Sequence, residues 1–112
     1  PSNDKARSGR AVTLARLERF TAALDDLQYL EASTRPLSPA SMYQMGCAYA
    51  LLHHSIEDAS ESSVQWLERA LRSGYGADLL TEDRDLEKIR NEPVFEKLVS
   101  RWVDPATSNQ SD

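Results

Sequence analysis

The sequence predicts an all-α fold, and three observations carry that expectation. Apolar residues recur at three- and four-residue steps along most of the chain, the period of helices with one buried face. No stretch alternates apolar and polar residues with period two over a useful length, as a half-buried strand would. The interruptions fall at proline- and glycine-containing segments, Ser33 to Pro39 and Ser73 to Gly76, which close helices rather than join strands.

The first helix is marked by Val12, Leu14 and Leu17, the second by Phe20, Ala23, Leu24, Leu27 and Leu30. Between them Glu18-Arg19-Phe20-Thr21 breaks the face, so the spacing predicts a reversal there with Thr21 as N-cap of the second helix. The two form an antiparallel hairpin. Ser33-Thr34-Arg35-Pro36-Leu37-Ser38-Pro39 ends it, because proline lacks an amide donor and restricts the residue before it. Helical periodicity returns from Ala40 to His53 through Met42, Met45, Tyr49 and Leu52. After a polar turn expected over 53–62, Val64, Leu67, Ala70 and Leu71 mark a fourth helix. Ser73-Gly74-Tyr75-Gly76 stops it. Asp83 or Asp85 then caps a brief helix carrying Leu86 and Ile89. Asn91-Glu92-Pro93 opens a last one through Val94, Phe95, Leu98, Val99 and Trp102. Residues 104–112 have no apolar anchor and are expected to fray.

With 112 residues, 40% hydrophobic and 28% charged, the chain fits one domain, expected over 1–103. No apolar run reaches the roughly 18 residues of a membrane span, and the opening Pro1-Ser2-Asn3-Asp4-Lys5 lacks a signal peptide's apolar core. The start at proline reads as a domain excised from a longer protein. Cys47 is the sole cysteine, so no internal disulfide forms; a lone thiol suits a reducing, cytoplasmic setting. A net charge of -5 argues against general nucleic-acid binding, which relies on clustered Lys and Arg. The charge is uneven, with +3 over residues 1–19 and -8 over 20–112. An acidic ligand is therefore expected to prefer the N-terminal end.

The helix pairs repeat. Ala11-x-x-Leu14 lines up with Gly46-x-x-Tyr49, 35 residues later, and Met45-Gly46-Cys47-Ala48-Tyr49 resembles the Leu-Gly-x-x-Tyr core of the tetratricopeptide repeat. Ala23-x-x-x-Leu27 and Ser63-x-x-x-Leu67, followed by Ala70, resemble the same family's Ala-x-x-x-Phe. Small residues at Ala11, Ala23, Gly46 and Ala70 let helix backbones approach, while Tyr49 and Phe20 fill the space around them. Glycine in mid-helix otherwise costs roughly 1 kcal/mol relative to alanine. The second unit departs from the pattern by five extra residues between Tyr49 and Ser63, and the first has Leu30 where alanine is usual. The segment Leu79 to Phe95 is similar to the terminal segment after the repeats of some bacterial proteins, including the C-terminal regions of serine/threonine kinases.

The resemblance implies a tetratricopeptide-like α-α superhelix. Repeat 1 spans about 6–34, repeat 2 about 40–74 and a divergent helical cap about 78–103. It implies a non-catalytic interaction module with a concave groove lined by Ser8, Val12, Ala15, Arg16, Tyr43, Cys47 and Ala50. Of these, Arg16 offers a carboxylate partner and Tyr43 rigid contact area. The family's chaperone-tail version places lysine and asparagine where Ser8, Val12 and Cys47 stand, so that ligand is not expected. The expected partner is a protein or peptide, without membrane or nucleic acid; homodimerisation, or regulation of a fused kinase, is the alternative.

Reactive constellations are thin. His53 and His54, with Glu57 and Asp58 four residues after each, supply metal-ligand types, yet adjacent helical residues point about 100° apart and no further Cys or His completes a zinc site. Asp83-x-Asp85-x-Glu87 lacks the glycine and distant glutamate of a calcium loop. Arg84-Asp85-Leu86 is only a fragment of a kinase catalytic loop. Cys47 has no base positioned to activate it. No cofactor, metal or autonomous enzyme is expected. Trp102 is expected in the core and Trp66 half-exposed against it.

Overall fold

The computed structural model describes residues 4–103. The expected frayed segment 104–112 and the first three residues lie outside them. Among the described residues every regular element is helical: α1 (Asp4–Arg16), α2 (Phe20–Ala32), α3 (Pro39–Leu51), α4 (Ala59–Arg72), a 3-10 helix (Arg84–Ile89) and α5 (Pro93–Trp102). The all-α expectation holds.

The α1–α2 reversal is tighter than the sequence suggests. Glu18 adopts a left-handed backbone, φ 62°, and the amides of Glu18 and Arg19 return to the carbonyls of Ala15 and Leu14 at 3.0 and 2.8 Å. The chain has turned by Arg19, so Thr21 lies inside α2 and caps nothing. At α3, Ser38 accepts from the Ser41 amide at 3.1 Å and Pro39 takes the first helical position, where its missing N–H costs no bond. The α3–α4 turn is also shorter than expected: α4 starts at Ala59, just after Asp58 at φ 64°.

α1 packs on α2 and α3, α3 on α4 and the 3-10 helix, and α4 on α5. α3 is thus enclosed, and every residue from Ser41 to Ala50 except Gln44 is buried. The α3–α4 contact is closest at Gly46. A Cβ there would stand 2.6 Å from Leu67 Cγ and 3.1 Å from the Ser63 carbonyl oxygen. Ser63 Oγ donates to the Gly46 carbonyl at 2.6 Å, so glycine at this position is a packing requirement. Ala11, Ala23 and Ala70 are fully buried as well.

The C-terminal portion folds back onto the helices. Gly74 and Gly76 have φ of 88° and 105°, a region open to glycine. A Cβ on Gly76 would also meet the Tyr43 ring at 2.7 Å, so the strand of chain after α4 runs hard against α3. Asp83 caps the 3-10 helix by accepting from the Asp85 amide at 2.9 Å. Arg90 donates to the carbonyls of Leu80 and Asp83 at 3.0 and 2.8 Å. Leu80, Leu86 and Ile89 are fully buried, each contributing about 2 kcal/mol. Such a segment is an integral wall. α5 adds Phe95 and Leu98 to the core, starting at Pro93 with Glu92 rather than Asn91 as its N-cap.

Candidate functional site

The site begins with the seam between α1 and α3. Ser8, Val12 and Ala15 form one helical stripe of α1 and are buried against α3, where Ser8 Oγ bonds the Gln44 side chain. One residue further round the helix, Gly9, Thr13 and Arg16 form a second stripe that faces outward. Across from it runs the chain from Tyr75 to Asp85, and the two edges enclose a cleft of about 410 Å³. Its lining is Val12, Arg16, Tyr43 and Cys47 together with Gly9, Thr13, Gln44, Tyr75, Leu79, Asp83 and Asp85. That volume admits a few side chains of an extended segment.

Four of the residues expected in the groove therefore meet in one cleft, and three do not line it. Ser8, Ala15 and Ala50 are sealed in the core, at 0%, 3% and 0% exposure. Ala50 continues the Tyr43–Cys47 face of α3, but this face is covered towards its end. Arg16 reaches the cleft already paired: Nε and Nη2 donate to the two Asp85 oxygens at 2.9 and 2.6 Å. Its side chain is 58% exposed while that of Asp85 is 12% exposed, so the pair closes the cleft from one side. The expected acceptor of a partner's carboxylate thus holds one of the chain's own.

Asp83 is fastened to α3 by neutral donors. Tyr43 Oη donates to its Oδ2 at 2.9 Å, and Cys47 Sγ to the same oxygen at 3.6 Å. Burial, first, and then the charges of Asp83 and Asp85 push the Cys47 thiol's pKa up, which keeps it protonated, the reverse of an activated nucleophile. Burial likewise raises that of the Tyr43 hydroxyl, so it stays a hydrogen-bond donor. Tyr75 stands edge-on to Tyr43 with ring centres 5.6 Å apart and remains 38% exposed. With Leu79, 37% exposed, it forms an apolar lip.

Cys47, Asp83 and Asp85 bring a thiol and two carboxylates within 4.8 Å of one another. Arg16 already neutralises Asp85 in that space, which weakens the attraction of the group for a cation. His53 instead approaches Glu92 at 3.4 Å and His54 at 4.8 Å between ring centres. Trp66 and Trp102 are both half-buried against the core, their ring nitrogens donating to Glu31 at 3.1 Å and to Glu68 at 3.5 Å. No described helix is long and apolar enough to cross a membrane.

The α1 stripe Gly9–Thr13–Arg16 was within reach of the sequence, since its four- and three-residue steps define a helix face one position away from the expected one. Tyr75, Leu79, Asp83 and Asp85 were not, because only the return of the cap across α3 places them there. No family model, curated protein or solved structure matches the chain.

Proposed function

We propose that the chain is a non-catalytic protein-binding module of tetratricopeptide-like build, in which two stacked helix hairpins and a helical cap hold an extended segment of a partner. The cleft between α1 and the Tyr75–Asp85 chain carries this reading. It combines an apolar lip at Tyr75 and Leu79, polar side chains at Thr13, Arg16 and Asp83, and a floor of buried residues from α1 and α3. Preformed concave sites are the usual form of a binding site. The match of Gly46-x-x-Tyr49 to the family core supports the hairpin stack, because Gly46 is needed where α3 meets α4.

The test is selection from a random peptide display library, followed by competition on a blocked variant. Thr13→Trp fills the cleft from an exposed helical position and should leave the fold intact. Selected peptides are expected to bind the unaltered protein and to lose at least about tenfold in affinity on Thr13→Trp, since a buried contact area of one side chain is worth that much. Selection of no peptide, or equal binding by both proteins, contradicts the reading.

A further inference from the structure

Charge identifies the side chain that such a partner brings. We infer that the cleft receives a basic residue, lysine or arginine, whose cationic head meets Asp83 while its alkyl stem lies on Tyr75. This rests on the cleft being the binding site. α1 supplies three arginines in this region, and each is taken by a carboxylate of the chain: Arg7 and Arg10 by Asp26, Arg16 by Asp85. Asp83 differs. Its side chain is half-buried on the cleft wall, and its hydrogen-bond donors are a hydroxyl, a thiol and a backbone amide, none of them charged. Among the described residues it forms no ion pair. Arg90 is aimed at the carbonyl oxygens of Leu80 and Asp83, so it serves the backbone and not the carboxylate, and Arg16, bonded to Asp85, acts on Asp83 only through its charge.

The surroundings suit an amphipathic cation better than a bare one. Lysine and arginine cover apolar surface with their stems and keep the charged head at the polar end. Tyr75 lines the cleft and is 38% exposed, and an aromatic ring at such a place can attract a cation through its quadrupole. Over longer range the net charge of -5 favours the approach of a basic segment over an acidic one. An acidic segment would instead meet Asp83 and Asp85 together on the cleft wall, with Arg16 already bonded to Asp85.

The experiment is the same random peptide library, selected in parallel on the unaltered protein and on Asp83→Asn. Asparagine is also a helix-capping acceptor, so the 3-10 helix keeps its cap, and a thermal melt verifies the fold. Peptides from the unaltered protein are expected to share a Lys or Arg, and peptides from Asp83→Asn to lack it. On the unaltered protein alone, replacing that residue by Glu in a selected peptide should weaken binding by about tenfold or more. This second readout stands even if the variant melts early. Peptides without a shared basic residue, or an unchanged preference on folded Asp83→Asn, overturn the inference and leave the cleft as a site. Failure to select any peptide takes down the cleft reading itself.

Discussion

The two helix hairpins are joined by different physics. α3 meets α4 through the absence of a side chain: Gly46 brings the helices close enough for Ser63 to bond its carbonyl and for Leu67 to fill the gap. α1 meets α2 through a buried carboxylate. Asp26 accepts from Arg7 Nη1 at 3.0 Å and from Arg10 Nε and Nη2 at 2.8 and 2.6 Å. The difference follows position in the stack. α3 is covered by α1, α4 and the 3-10 helix, so water is excluded and close apolar packing stabilises without desolvating charge. α2 packs chiefly on α1 alone, and arginines at that outer edge keep part of their hydration while their partner is buried.

Substitutions separate the two kinds of joint. Gly46→Leu should be the most damaging, at about 3 kcal/mol from overpacking against Leu67 and the Ser63 backbone, read from urea denaturation. A near-unchanged midpoint would mean that α3 and α4 are not held as close as described. Asp26→Asn should cost about 2 kcal/mol at neutral pH by leaving the arginines without their carboxylate.

The same variant should change the pH dependence. Hydrogen bonding from Arg10, aided by the charges of Arg10 and Arg7 against the opposing effect of burial, holds the Asp26 pKa below the ordinary carboxylate value. The stabilisation is fully present above the unfolded pKa of about 3.9 and is lost as pH falls through the lower folded value. Asp26→Asn should therefore flatten the acid limb of the stability curve, whereas Gly46→Leu should lower it at every pH without changing its shape.

Smaller effects probe the edges of the comparison. Arg16→Gln, which releases α1 from Asp85, should cost about 1 kcal/mol, because its guanidinium is mostly in solvent. Glu18→Gly should act in the other direction. It relieves the left-handed strain at the α1–α2 reversal and should gain about 0.5 kcal/mol after the added freedom of the unfolded chain is counted.

These joints were unequally legible in the sequence. Gly46 announced itself as a costly residue in mid-helix, so a packing role could be read from propensity alone. Asp26 gave no such sign: on α2 it is one acid beside another, Asp25, and only the fold buries one and exposes the other. The helices followed from apolar periodicity, but their ends moved where left-handed residues turned the chain early, at Glu18 and Asp58. On α1 the expected Val12 and Arg16 line the cleft, whereas Ser8 and Ala15 face the core and their neighbours Gly9 and Thr13, about 100° round the helix, line the cleft beside them. Asp85 was read as part of a helix start, and Asp83 and Asp85 as competing caps. Both act through long-range contacts that local spacing does not encode.

The cleft exists only if the chain after α4 stays folded across α3. Native-state amide hydrogen exchange tests this most directly. The amides of Leu86 and Ile89 are expected to exchange as slowly as those of Met45 to Tyr49, since all lie against the same buried core. Exchange at Leu86 and Ile89 faster by orders of magnitude would mean that the wall opens while the hairpins hold, and the site described here would not be the one a partner meets.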